Sequence, residues 1–173
     1  SAIYEDRRHW PSLISSGPII GVPDSVAQGF TGSDQVVAVL DTGVDGDHPM
    51  LSGKLVHEAC FSTEDDFGIS SLCPNQGTTQ IGVGAAAPCE SLCAHGTHVA
   101  GIAVGNGSGL TGVAKDAQVL GIQVFSTDGE DVFAFTSDLI AAMEHVFEQR
   151  NDFNIASVNM SLGGGRFHAA CDS

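Results

Sequence analysis

The sequence has little positive charge. Its 173 residues include six Lys and Arg against 21 Asp and Glu, which gives a formal net charge of −15 at pH 7. A surface of this sign repels phosphate groups, so the composition argues against nucleic acid and anionic membranes as partners. The sequence also has no apolar run that approaches the roughly 20 residues of a membrane-spanning helix, and we predict no membrane segment.

Internal repeats and low-complexity tracts are also absent from the sequence. Hydrophobic residues make up 42% of the chain, and its 22 glycines favour tight turns. This composition indicates a compact α/β protein rather than a disordered one. The length lies within the range of a single domain.

An unbroken apolar run from Val36 to Leu40 ends at Asp41. Its β-branched residues predict a fully buried parallel strand. Asp41 would then lie at the carboxyl end of that strand, which is where open α/β sheets place their chemistry. The Thr-Gly pair that follows predicts a sharp turn.

His95 opens a later segment that consists almost entirely of small or apolar residues. The segment predicts a helix packed closely against the sheet, with His95 in its first turn. Gly96 and Gly101 are poor helix formers, so they indicate close backbone approach. We expect the imidazole to face the end of the Asp41 strand. A carboxylate that orients an imidazole is what activation of a hydroxyl nucleophile requires.

Other chemistry fits parts of these motifs. Asp-Thr-Gly is also the signature of aspartic proteases, in which two carboxylates share a proton, but the sequence has no second copy. His95 and His98, with Cys89 and Cys93 upstream, form an alternative zinc set, although their spacing is too compressed for the usual structural sites. Outside a metal site, we expect His98 to be a packed, hydrogen-bonded core histidine.

Three segments occur in the order Val-Ala-Val-Leu-Asp41-Thr-Gly, His95-Gly-Thr-His98-Val-Ala-Gly and Val158-Asn-Met-Ser161-Leu-Gly-Gly. Together they resemble the subtilisin-like serine endopeptidases, the subtilases. The resemblance implies a three-layer α/β fold, with a mostly parallel sheet flanked by helices and incomplete at the C-terminus. It also implies proteolysis by acyl transfer through an Asp-His-Ser triad, with Asp41 and His95 as two of its members.

The third segment is interpreted through the same resemblance. In subtilases a stretch of this kind lines the specificity pocket, and its backbone pairs with an extended substrate. Ser161, Leu162 and Gly163 are therefore expected to bind polypeptide substrates, and Ser161 is not the expected nucleophile. The resemblance also implies a secreted or extracellular protein, with the periplasm and the cell surface as alternatives.

The sequence departs from the family pattern at the nucleophile. Subtilases present their serine in a Gly-Thr-Ser setting and use an intervening Asn as an oxyanion donor, and neither follows the third segment here. We therefore expect residues 19–173 to be the N-terminal part of a peptidase domain, inactive without the missing C-terminal part. The alternative is a non-catalytic binding or interaction module on a protease scaffold.

Residues 1–18 are expected to precede this domain. Ala2–Asp6 resembles the closing strand of the inhibitory prodomain of secreted subtilases. Arg7–Pro11 and Ser15–Pro18 would then form a linker, which Pro and Gly favour. An inhibitory prodomain is thus an expected partner, and an ordinary irregular terminus is the alternative.

The remaining patterns give a coarse order of elements. They predict a helical stretch over Pro23–Gln28, a long loop between Asp41 and His95, a strand over Gln118–Phe125, a helix over Ser137–Gln149 and a strand over Ile155–Met160. In the helix over Ser137–Gln149, Asp138, Glu144 and Glu148 are expected to face water. The predicted core stripe of that helix comprises Leu139, Ile140, Met143, Val146 and Phe147.

Four of the five cysteines lie in the loop before His95. In a chain that resembles an extracellular enzyme, loop cysteines indicate disulfides. Three pairings of these four are open, and we favour Cys60 with Cys73 and Cys89 with Cys93. Cys171 is left over.

No cofactor is expected to be required for catalysis. Many subtilases bind calcium beside a carboxylate that follows a His-Pro pair, but here Met50 follows His48-Pro49. The later loop, Gly105–Gly112, offers few side-chain oxygens, so the usual calcium site is not matched. Calcium bound elsewhere in so acidic a chain stays an open alternative.

Overall fold

The structure is a computed structural model and describes residues 13–163. Its helices are α1 (Leu13–Ile19), α2 (Val22–Ala27), α3 (Ala94–Val104) and α4 (Thr136–Glu148), and a 3₁₀ turn at Gln149–Asn151 follows α4. Its strands are β1 (Val36–Asp41), β2 (Leu55–Phe61), β3 (Ser70–Ser71), β4 (Thr79–Ile81), β5 (Asn106–Gly107), β6 (Leu110–Thr111), β7 (Gln118–Gln123), β8 (Phe125–Thr127), β9 (Val132–Ala134) and β10 (Ile155–Asn159).

The main sheet has five strands in the order β10, β1, β7, β2, β4. The first four are mutually parallel, and β4 pairs antiparallel with β2. In the register of β1, Asp41 lies beside Gln123 of β7, and Val39 lies beside Asn159 of β10. Parallel pairing brings the carboxyl ends of β1, β7 and β10 to one edge of the sheet.

Alternate residues of β1 face opposite helical layers, as the period of two in a strand requires. Leu40 packs in a cluster that includes Ala142 of α4, whereas Val39 packs in a second cluster that includes Val99 and Val104 of α3. The fold is therefore a three-layer α/β arrangement with a mostly parallel central sheet, as the sequence predicted.

The segment predicted as a long loop between Asp41 and His95 contains two strands of the main sheet, β2 and β4, and β3 of a second sheet. The prediction missed β2, the longest of them, because polar residues, His57 and Glu58, interrupt its apolar pattern. Both residues are accommodated by side-chain hydrogen bonds: His57 to His145, and Glu58 to the amides of Gly84 and Ala86.

The strand predicted over Gln118–Phe125 is divided in the structure. Strand β7 ends at Gln123, and β8 begins at Phe125 and belongs to a separate sheet with β3 and β9. The buried Gln123 side chain donates to the carbonyl of Phe125 and accepts from its amide. These side-chain bonds replace ladder partners, so the chain can leave the main sheet at this point.

The buried face of α4 matches the predicted one only in part: Val146 is buried and Leu139 packs against the core, and Glu144 and Glu148 are exposed, as predicted. Ile140, Met143 and Phe147 are exposed, whereas Asp138 and His145 are buried. The remaining buried positions of the helix are Ala142 and Val146. Asp138 is held by the Thr63 amide and hydroxyl, so a carboxylate that we expected in water lies against the sheet.

The chain before the main sheet also differs in part from its prediction. Helix α1 includes Gly17 and Pro18, where we predicted a linker, and α2 begins one residue before the predicted start at Pro23. The predicted prodomain strand Ala2–Asp6 and the segment Arg7–Pro11 lie outside the described residues, as does Cys171.

Candidate active site

Asp41 and His95 are hydrogen-bonded to each other. His95 Nδ1 lies 2.8 Å from Asp41 Oδ1 and 3.0 Å from Oδ2. Asp41 is fully buried at the end of β1, and its Oδ1 also accepts the Thr42 amide at 2.7 Å. The His95 side chain is about half exposed, at 51%. The predicted meeting of the strand-end carboxylate and the helix-start imidazole is thus present in the structure.

This geometry defines the chemistry that the pair can perform. A carboxylate accepts hydrogen bonds, so His95 Nδ1 carries the proton of this bond and Nε2 has a free lone pair in the neutral ring. Nε2 forms no hydrogen bond to any residue of the range 13–163. The pair can therefore take a proton at Nε2 while the buried carboxylate stabilises the imidazolium.

The first turn of α3 approaches the end of β1 so closely that Gly96 has no room for a side chain. A Cβ at this position would lie 2.2 Å from the Gly43 carbonyl oxygen and 3.1 Å from Asp41 Oδ1. By contrast, a Cβ at Gly101 would meet nothing within 4 Å. The expectation of close backbone approach is met at Gly96, next to the imidazole, and not at Gly101.

The predicted substrate-binding residues follow β10 at the same edge of the sheet. Ser161 and Gly163 are exposed, whereas Leu162 is partly buried against the core cluster below α4. The Ser161 hydroxyl and the Asn159 side-chain amide hydrogen-bond to each other at 3.0–3.1 Å. Asn159 of β10 pairs with Val39 of β1, two residues before Asp41, and the strands are parallel. The segment after Asn159 therefore leaves the sheet at the same end as Asp41.

The cysteines form the two favoured disulfides, Cys60–Cys73 and Cys89–Cys93. The second disulfide uses the two thiols that the zinc alternative required, and His95 is committed to Asp41. His98 is exposed, so the expectation that it is a packed core histidine was wrong. Within residues 13–163, no three His, Cys, Asp or Glu side chains are grouped so that they could hold a metal ion.

Met50, which follows the His48-Pro49 pair, lies beside the short loop Gly105–Gly112. Met50 lies against the loop, since Cβ atoms built on Gly105 and Gly107 would come within 3.1 and 2.9 Å of its side chain. Strands β5 and β6 pair as a short hairpin, and the Met50 carbonyl accepts the Asn106 amide. The expectation that the usual calcium site is not matched stays a prediction, as does calcium bound elsewhere.

A buried Asp that orients a half-exposed His at the carboxyl edge of a parallel sheet defines a candidate hydrolase of α/β architecture. The sequence matches the profile of the subtilase family over residues 32–173. This chain belongs to the subtilase family.

Individual relatives agree with this assignment. The chain is 35% identical to a subtilisin of Bacillus sp. (strain TA39) over 143 residues, which are 80% of this chain and 29% of the relative. It is 33% identical to the minor extracellular protease Vpr of Bacillus subtilis, over 88% of this chain and 17% of that protein. The major intracellular serine protease of the same species is 32% identical, over 84% of this chain and 39% of the relative.

Among solved structures, the S41 psychrophilic protease superposes with a TM-score of 0.58 and 32% identity, covering 79% of this chain and 40% of that chain. The chain thus spans between about one-sixth and two-fifths of the length of these relatives. None of the helices within residues 13–163 is both long and apolar enough to cross a membrane.

Proposed function

We propose that this chain contributes the acid–base half of a serine endopeptidase, with Asp41 orienting His95. The observation that supports the proposal is the bond between His95 Nδ1 and the buried Asp41 carboxylate, which leaves Nε2 free. We propose further that residues 19–173 are the N-terminal part of the peptidase domain. The serine and the oxyanion Asn would come from a further part of that domain, and the chain alone would be inactive.

In the proposed reaction, His95 Nε2 takes the proton of the serine hydroxyl as the serine oxygen attacks the peptide carbonyl carbon. The tetrahedral intermediate collapses when the imidazolium returns this proton to the leaving amine, which breaks the C–N bond and leaves an acyl-enzyme. Water then repeats the sequence on the ester and releases the acid. Asp41 stays ionised throughout and stabilises the imidazolium.

We propose that Ser161–Gly163 binds the backbone of the polypeptide substrate. The alternating exposure of these three residues supports the proposal, because Leu162 packs against the core while Ser161 and Gly163 are exposed. An anchored segment of this kind can pair with an extended peptide by main-chain hydrogen bonds.

The edge of β10 supports a further polypeptide partner. Within the described range, β10 pairs only with β1, and its residues Ala156–Val158 are exposed. Val158 and Met160 are apolar yet 43% and 42% exposed. An open apolar edge of a parallel sheet favours pairing with another strand, and we propose that the C-terminal part of the same domain supplies it.

We propose that the protein is secreted, and that an inhibitory prodomain precedes it. The two disulfides support an oxidising compartment, because thiols in the cytosol are kept reduced. The extracellular relative Vpr agrees with this proposal, whereas the intracellular relative shows that the family alone does not decide it.

The proposal is tested by His95→Ala in the full-length protein with a peptide amide substrate. We expect kcat to fall by about 10⁴- to 10⁶-fold, because the serine loses its base. His98→Ala is a matched control, since His98 is exposed on the same helix, and it should retain wild-type turnover. Retained turnover in His95→Ala would contradict the proposal. Peptide binding without hydrolysis by the wild type would favour the non-catalytic module instead.

A further inference from the structure

The position of the His95 imidazole depends on where α3 begins. Cys93 immediately precedes the helix, and His95 is its second residue. A helix leaves its first amides without internal partners, and a side chain at the residue before the helix usually accepts one of them. The Cys93 side chain makes no such bond, so the start of α3 must be fixed in another way.

Thr42 supplies the missing bond from another element. Its hydroxyl accepts the Gly96 amide at 3.0 Å and donates to the Cys93 carbonyl at 3.0 Å. The Thr42 amide simultaneously donates to Asp41 Oδ1. One buried residue therefore joins the carboxylate, the residue before the helix and the first helical turn. Sequence reasoning missed this role, and the adjacency of Thr42 to Asp41 was the only signal available.

The hydrogen bond to Cys93 is useful only if Cys93 is itself held in place. The segment that leads to Cys89 is anchored to the turn after β1, because the Ala86 carbonyl accepts the Val44 amide at 2.8 Å and Pro88 lies against Gly43. Residues 90–92 are exposed, so hydrogen bonding within this stretch offers little restraint. The disulfide to Cys89 spans it and connects the fully buried Cys93 directly to the anchored side.

We propose that the Cys89–Cys93 disulfide is a positioning element that, through Thr42, holds the first turn of α3 so that the His95 imidazole stays aligned with Asp41. The inference rests on the proposed peptidase function for its kinetic consequence. Loss of the disulfide frees Cys93 and its carbonyl. The imidazole then samples orientations in which Nε2 is misplaced, and a misplacement of about 1 Å costs as much as 10²-fold in rate.

The experiment compares Cys89→Ala/Cys93→Ala with Cys60→Ala/Cys73→Ala in the full-length protein. The control disulfide closes a longer loop, with a separation of 13 against 4, so its removal should lower stability more. We expect kcat for a peptide amide to fall about 10- to 100-fold in the first variant only, with KM within about two-fold. If loss of stability alone lowered kcat, the control variant Cys60→Ala/Cys73→Ala would have the lower kcat of the two.

A spectroscopic readout separates positioning from catalysis. The proton shared by His95 Nδ1 and Asp41 gives a deshielded proton NMR resonance, which should weaken or broaden in Cys89→Ala/Cys93→Ala and persist in the control. If that variant does not fold, Thr42→Val replaces it, and the same loss of kcat is expected.

The positioning role would be overturned if both disulfide variants had the same kcat, whether that kcat is unchanged from the wild type or lowered. A wild-type protein without amide hydrolysis would overturn the proposed function instead. In that case an unchanged resonance in Cys89→Ala/Cys93→Ala would still refute the positioning role, and a weakened one would support it.

Discussion

Acid should weaken the contact between β2 and α4, because two imidazoles meet there. His57 Nε2 and His145 Nε2 lie 2.8 Å apart, and the rings are stacked with centroids 5.1 Å apart. One Nε2 must donate its proton while the other accepts with its lone pair. If both nitrogens carry protons, two donors face each other and the hydrogen bond is lost.

The surroundings determine the direction of the effect. Burial lowers the pKa of His57 below its ordinary value of 6.5, and nearby Glu58 and Asp152 oppose this. Burial also lowers the pKa of His145, the charge of His57 lowers it further, and Glu148 opposes both. Below pH 6.5 the unfolded chain therefore binds more protons than the folded chain. The stabilisation is complete above pH 6.5 and is lost as the pH falls through the folded pKa values.

The magnitude follows from the number of protons excluded. The accepting ring must stay neutral for the contact to persist, so we count one proton for the pair. Each excluded proton reduces the free energy of unfolding by about 1.4 kcal/mol per pH unit. Between about pH 8 and pH 5 we therefore expect the free energy of unfolding to fall, by at most about 1.4 kcal/mol per pH unit below pH 6.5, and the fall ends once the pH lies below the folded pKa values.

The assay is urea unfolding of the full-length protein across this pH range, in a His95→Ala background that prevents self-digestion. His145→Gln keeps a hydrogen-bonding side chain but removes one titrating group, so its stability should fall less in acid than that of the parent. His48→Gln is the matched control, because His48 is exposed. If His145→Gln and its parent differ by the same free energy at both ends of the range, the reasoning is refuted.

Two further predictions concern the glycines of α3 and the two disulfides. Gly96→Ala should lower the free energy of unfolding by about 3 kcal/mol or more, because its methyl group meets the Gly43 carbonyl. Gly101→Ala, which has open space in the same helix, should be neutral or stabilising by up to about 1 kcal/mol; equal effects in urea unfolding would contradict this account. Removal of the Cys60–Cys73 disulfide should cost about 3 kcal/mol, against about 2 for the shorter disulfide loop. A reversed order in urea unfolding would show that loop closure does not dominate.

Local patterns were sufficient for the elements that hold the proposed catalytic pair. The apolar run before Asp41 is buried except at half-buried Val37, because both faces of β1 are covered by helices. Such a strand is readable from composition alone. The small residues after His95 likewise indicated a helix in close contact with the sheet, and Gly96 provides that contact.

Elements that depend on tertiary partners were not readable. The buried residues of α4 form a stripe shifted by one position from the predicted one, which rotates the helix by about 100°. Hydrophobicity alone favoured the wrong face, because Asp138 and His145 are buried against Thr63 and His57. Both partners lie in or just after β2, a strand that the sequence did not predict, so these two errors have one physical cause.

The most direct test of the central claim is the activity of Asp41→Asn in the full-length protein. The amide at this position would stabilise the wrong imidazole tautomer and could not stabilise the imidazolium. We therefore expect kcat for a peptide amide to fall about 10⁴-fold with KM nearly unchanged. A kcat within about ten-fold of the wild type, in a protein that is correctly folded, would contradict the account.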